Sequence, residues 1–252
     1  MRLLLPLLAV MACNTDPSSQ LDQFVDYRDG LEGGATSGER GSIKITEVLW
    51  SGTVREDGSW DPSDVFFEVR NESARPANLT GWRLTVSGVV EQEFRLPAMA
   101  DIDVGDFAIV AAKNTGCFPD AEAVLPGLAL SQNDPFRMTL RDADERLMEL
   151  AGDRYARPFA GGYDFRTSRS MERVNLMFGG RGTEPTAWHF ATREDCPAAL
   201  IVDPETDAGL SCYEGIPNND KMLAACRAHT HATPGRPNSP DYTGAYASGG
   251  FE

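Results

Sequence analysis

From residue 43 onward the chain repeats one pattern: short apolar runs cut by Gly, Pro, Asn or Asp at intervals of roughly 8–15 residues. Ile43-Lys44-Ile45-Thr46-Glu47-Val48-Leu49 alternates with period two, as a half-buried strand does. Val65, Phe67 and Val69 fall on one face of the next run, and Trp82, Leu84 and Val86 repeat the pattern after Thr80-Gly81. Phe107-Ala108-Ile109-Val110-Ala111-Ala112 is apolar throughout, the mark of a strand covered on both faces. Phe136, Met138 and Leu140 alternate again, and the turn Asp142-Ala143-Asp144-Glu145 leads into Leu147–Leu150 as a hairpin. Met171–Val174 reads as a late strand. Such spacing leaves no room for the helical crossovers of a parallel sheet, so the expectation is an all-β sandwich. Helical candidates are short, at 221–227 and 120–124.

The first 41 residues have a different character. Residues 1–12, MRLLLPLLAVMA, place one basic residue before a short apolar stretch and end on a small residue, which is a secretory signal too short to span a bilayer. Val10-Met11-Ala12-Cys13 resembles the lipobox of bacterial lipoproteins. That resemblance implies cleavage before Cys13 and attachment of a diacylglycerol to its sulfur, enough acyl chain for stable anchoring. An ordinary cleaved signal followed by a chance cysteine is the plainer reading. Residues 14–41 are polar, acidic and Gly/Ser-punctuated, a flexible tether spanning about 25–32 Å. The expected product is exported and lipid-anchored to the cell envelope, at the outer membrane in preference to the inner, with no spanning segment.

Charge narrows the partners. The 252 residues carry 38 acidic and 23 basic side chains, net −15, and removal of residues 1–12 leaves 240 residues at −16. A field of this sign repels phosphate, which argues against nucleic acid, and it keeps a tethered body off anionic lipid.

Several of the strand motifs carry a family resemblance. Ile45-Thr46-Glu47-Val48, Phe67-Glu68-Val69-Arg70-Asn71 and Asn78-Leu79-Thr80-Gly81-Trp82-Arg83-Leu84 are similar to the successive strands of the bacterial lamin-tail domain. Val104-Gly105-Asp106-Phe107-Ala108-Ile109-Val110, Ser170-Met171-Glu172-Arg173 and the closing Thr233-Pro234-Gly235-Arg236-Pro237-Asn238 follow in the family's order. Departures are Asn78 for the usual Asp and a long insertion at 189–232. The resemblance implies an immunoglobulin-like sandwich over 42–238, no catalytic residues, and a role in adhesion or targeting; residues 239–252 read as a disordered tail. From the residues themselves, Trp82 is a core aromatic joining the two sheets, and Asn71 and Asn78 suit turns.

Beyond Cys13, four cysteines remain: Cys117, Cys196, Cys212 and Cys226. In an exported chain an even number implies two disulfides, with three possible pairings. We expect Cys117–Cys196 and Cys212–Cys226, stapling the loop-rich insertion; a zinc cluster is disfavoured because no Cys-x-x-Cys spacing occurs. Within the insertion, Asp203, Glu205, Asp207 and Glu214 approach the spacing of a calcium loop, but Ala208 stands where its glycine belongs. A solvated acidic loop is the alternative, and the expectation is no cofactor, with calcium at this loop the one exception. Asp57, Asp61, Asp64 and Glu68 form a second acidic group of the same standing.

Arg154, Arg157, Arg166 and Arg169 head an Arg-rich stretch that continues to Arg173 and Arg181. It suits an anionic glycan or carboxylate partner, or else its members pair with the surplus acids nearby. No nucleophile elbow, zinc-protease helix or phosphate loop is present, and His229-x-His231 precedes a loop end. The expectation is a non-catalytic displayed module that binds an envelope protein or glycan through loops of the insertion. A carboxylate-dependent hydrolase, with or without calcium, is the alternative.

Overall fold

The computed structural model describes residues 41–89, 91–130, 134–174, 181–191 and 221–239. Cys13, Cys196, Cys212 and the acidic residues Asp203, Glu205, Asp207 and Glu214 lie outside the described residues, as does most of the insertion.

The chain is all-β. One six-stranded sheet contains β1 (Ile43–Leu49), β4 (Phe66–Asn71), β7 (Phe107–Ala111), β8 (Ala123–Val124), β13 (Met171–Arg173) and β14 (Trp188–Phe190). Its spatial order is β14-β13-β1-β4-β7-β8. A four-stranded sheet is built from β5 (Arg83–Gly88), β6 (Gln92–Arg95), β9 (Phe136–Arg141) and β10 (Leu147–Asp153), in the order β10-β9-β5-β6. Two small sheets flank them: β11 (Gly162–Tyr163), β12 (Ser168–Arg169) and β15 (Thr230–His231) form one, and β2 (Thr53–Val54) and β3 (Trp60–Asp61) the other. Among the described residues the helices are single 3-10 turns, at Pro185–Ala187 and Ala224–Cys226, and none is long and apolar enough to cross a membrane.

The two large sheets meet over one core. Ile43, Ile45, Val48, Phe67, Val69, Ala108 and Val110 come from the first; Leu84, Val86, Met138, Leu140 and Ala151 come from the second. Trp82 is 1% exposed within it, as its place after the Gly81 turn suggests. Burying a side chain of the size of Phe67 or Leu84 stabilises the fold by about 1.5–3 kcal/mol.

Strict alternation fails in β1. The register slips between Ile45 and Glu47, a bulge that lets Ile43, Ile45 and then Val48 all face the core. Glu47 and Leu49 therefore turn to the opposite face of the sheet. That face is also covered: Leu49, Phe66, Ile109 and Ala111 pack with Cys117, Phe118, Met222, Cys226 and Ala232.

Two expectations are corrected here. Residues 120–124 form no helix, because Glu122 accepts a hydrogen bond from the Ile109 N–H (2.7 Å) and β8 adds in parallel beside β7. Cys117 is bonded to Cys226, with Cα atoms 6.0 Å apart, so neither expected pair, Cys117–Cys196 or Cys212–Cys226, forms. Both sulfurs sit in the second apolar cluster, and the Leu223 N–H donates to the Cys117 carbonyl (2.9 Å), which brings the two segments together.

Candidate functional site

The covered face of the six-stranded sheet holds three carboxylates in one row. Glu172 on β13 lies directly opposite Glu47 on β1, and Glu47 lies directly opposite Glu68 on β4. All three are fully buried. His189 on β14 extends the row, paired in register with Glu172 and with Nε2 3.8 Å from its Oε2.

The segment 233–239 closes over this row and supplies most of its donors. The Thr233 N–H donates to Glu47 Oε1 (2.9 Å) and its hydroxyl to Glu172 Oε1 (2.9 Å). The Gly235 N–H donates to Glu68 Oε2 (2.6 Å), and Gly235 adopts φ +76, a left-handed turn conformation that favours glycine. The Ser239 N–H (2.8 Å) and hydroxyl both donate to Glu172 Oε2. From within the sheet, the hydroxyls of Ser170 and Thr46 donate to Glu47 and Glu68 respectively. The Asn238 amide then clamps the end of the segment, donating to the carbonyls of Thr46 (2.9 Å) and Arg173 (2.8 Å).

Removing a carboxylate from water disfavours its charged form. Burial, reinforced by the charges of Glu172 and Glu68, pushes Glu47 well above the usual carboxylate range. Burial pushes Glu68 up to about 8, against the lowering effect of the Thr46 hydroxyl and Gly235 N–H. Glu172 is raised by burial too, with His189 and Ser239 opposing. Near neutral pH the row holds protons, and a carboxyl that keeps its proton acts as a hydrogen-bond donor as well as an acceptor.

A fourth buried acid, Asp64, stands apart from the row. Its Oδ2 accepts from the Thr53 hydroxyl and the Cys117 N–H, both at 2.7 Å, and its Oδ1 finds no donor among the described residues. The carboxylate packs so tightly on Gly116 that a Cβ there would lie 2.1 Å from Oδ1. Burial raises its pKa. The group Asp57, Asp61, Asp64 and Glu68 is thus not one site: Asp57 is exposed and bonded to Ser59, and Asp61 pairs with Lys113 (2.6 Å). Among the described residues no group of three His, Cys, Asp or Glu side chains is arranged to hold a metal ion.

The arginines are engaged in different ways. Arg154 lies over the ring of Tyr155, with its guanidinium carbon 4.8 Å from the centroid, and Arg169 donates to the Ala191 carbonyl (3.0 Å). Arg157 and Arg166 are exposed. Arg173 pairs with Glu149 (3.0 Å) beneath the Trp188 ring.

Sequence reasoning named all the pieces of the carboxylate row as motif residues but did not join them. The available signal was an acid inside a run apolar on both faces: Phe66-Phe67-Glu68-Val69 leaves no solvent side for Glu68. No protein-family profile matches the chain, and no curated protein matches it.

Proposed function

We propose that the chain is an exported bacterial lipoprotein, anchored through Cys13, whose lamin-tail-like sandwich is a displayed, non-catalytic binding or structural module of the envelope. One observation carries the non-catalytic part. The acids that the family-like motifs contribute are spent on the protein's own chain: Glu47, Glu68 and Glu172 are sealed from solvent and bonded to the segment 233–239. A carboxylate pair working on a substrate must reach it, whereas these three hold the fold closed.

The anchor rests on the lipobox-like ending Val10-Met11-Ala12-Cys13 and the polar tether after it. Tethered display suits a net charge of −16 after cleavage, which keeps the body soluble and clear of anionic headgroups. The test is metabolic labelling with an alkynyl fatty acid in a bacterial host, followed by membrane fractionation. The native chain should take up label and sediment with membranes, and Cys13→Ala should lose both. Unchanged sedimentation of Cys13→Ala overturns the anchor. Display of the module is tested by protease shaving of intact cells and of spheroplasts, with degradation in at least one compartment outside the cytoplasm expected.

A further inference from the structure

The two ends of the sandwich are chemically unlike. The chain enters beside β10, where the Gly41 N–H donates to the Met148 carbonyl (3.2 Å), and both β1 and β10 run away from that point. β13 pairs with β1 in the opposite sense, with Met171 facing Val48, so residues 153–170 lie beyond the far ends of the strands. The Trp50 indole N–H, bonded to the Ala160 carbonyl (2.8 Å), fastens this connection to the end of β1.

Over 153–169 the charged residues are Arg154, Arg157, Arg166 and Arg169 against Asp153 and Asp164, a locally positive stretch in a chain of net −15. Both acids are turned onto their own loops. Asp153 accepts from the Tyr155 N–H (2.8 Å), and Asp164 from the N–H groups of Arg166 (3.1 Å) and Thr167 (2.7 Å). Arg154, Arg157 and Arg166 are exposed, and none of them pairs with a carboxylate among the described residues. Their guanidinium N–H groups are donors without a matching acid.

Apolar surface lies between these arginines. Tyr155 is 79% exposed and Phe165 89% exposed. Phe165 sits at the tip of the hairpin closed by Tyr163 and Ser168, with φ +71, a conformation that Gly, Asn or Asp ordinarily fills. A strained position that carries an almost wholly open ring serves contact with something beyond the described fold.

One segment of the chain matches this surface in charge, apolar content and reach. Residues 21–32, LDQFVDYRDGLE, lie outside the described residues and carry Asp22, Asp26, Asp29 and Glu32 against Arg28. Leu21, Phe24, Val25 and Tyr27 alternate with those acids, as Tyr155 and Phe165 do with the arginines. Asp26 stands 15 residues before Gly41, a stretch of up to about 50 Å when extended. The seven residues of β1 rise only about 20–23 Å, so the far end of the sandwich is within reach.

We infer that residues 21–32 dock in cis on the 154–167 connection, with their carboxylates on Arg154, Arg157 and Arg166 and their apolar side chains over Tyr155 and Phe165. Arginine and carboxylate form bidentate, charge-assisted pairs, which give the contact specificity as well as attraction. Joined through so short a stretch, the segment has an effective concentration on the order of millimolar, so modest contacts suffice. The tether is then a stowed leash, and an outside acidic partner must displace it to reach the arginines. The inference goes beyond the displayed-module reading and is separable from the anchor, because residues 21–32 follow Cys13 whether or not its sulfur carries lipid.

The experiment follows chymotryptic cleavage of the detergent-solubilised full chain after Phe24 and Tyr27 by mass spectrometry. Cleavage of a site that opens transiently tracks its open population. The triple variant Arg154→Gln, Arg157→Gln, Arg166→Gln should be cut at these two bonds at least about fivefold faster than the native chain, with an unchanged melting temperature. Phe165→Gly should also be cut faster, while its melting temperature stays equal or rises because glycine relieves the turn. Salt at about 0.5 M should speed cleavage of the native chain and leave the triple variant unaffected. Equal cleavage of the native chain and the triple variant at low salt overturns the inference. So does protection that fades on dilution, which would place the segment of one copy on another.

Discussion

Glu47 and Glu172 face one another across β1 and β13, and a single residue, Thr233, bridges them: its N–H bonds to one carboxyl and its hydroxyl to the other. Thr233 is 186 residues from Glu47 along the chain and 61 from Glu172. The contact therefore ties the closing segment to the middle of the sheet.

Thr233→Val keeps the shape of the side chain and removes the hydroxyl. It leaves Glu172 short of a donor in a site closed to water, where an unmet polar group costs about 1–3 kcal/mol. Urea unfolding should show a lower midpoint by a corresponding amount with the slope unchanged; an unchanged midpoint contradicts the bridge.

The pH dependence has a definite sign. Glu68, raised to about 8, keeps a proton in the folded chain that the unfolded chain releases above its ordinary value of 4.5, and Glu47 and Glu172 shift the same way. Wherever the folded state binds more protons, stability falls as pH rises. Thermal stability should therefore decline from about pH 5 toward pH 8, by an amount on the order of a few kcal/mol. Glu68→Gln, which supplies a permanently neutral side chain, should flatten that decline. The charge of Glu122 adds to the rise at Glu68, and that of His189 opposes the rise at Glu172. Asp57, Asp61 and Asp164, held below their ordinary values chiefly by serine, lysine and threonine donors, act at the other end, losing their contribution as pH falls through the acid range.

Peptide mapping without reduction should recover Cys117 linked to Cys226. The bond closes a separation of 109 residues, and a loop of that length constrains the unfolded chain by about 3–5 kcal/mol. The double variant Cys117→Ser with Cys226→Ser should melt well below the native protein, with loss of protection in 221–239. Recovery of Cys117 linked to Cys196 contradicts this arrangement.

The strands were legible because alternation is a local signal. β1, β5, β7 and the β9–β10 hairpin fall where Ile43–Leu49, Trp82–Val86, Phe107–Ala112 and Phe136–Leu150 place them. The bulge at Thr46 was not legible, since it answers to the register with β4 and not to its own residues. Nor was the union of Glu47, Glu68, Glu172 and Thr233, which needs strands far apart in sequence to become neighbours. The disulfide escaped for the same reason: spacing along the chain says little about which loops share an apolar cluster. The stacking of Trp60 on Tyr163 and the positive φ of Phe165 have no local sequence signal either.

Glu47, Glu68 and Glu172 form a buried internal latch whose carboxyls burial holds above their ordinary range. It is tested most directly by titrating the side-chain carboxyl carbons of 13C-labelled glutamate, with the three signals assigned by Glu→Gln variants. Glu68 should show a midpoint near 8, and Glu47 and Glu172 should titrate above the exposed glutamates. Midpoints near 4.5 for all three would mean that water and charge reach the row freely, and would contradict the latch.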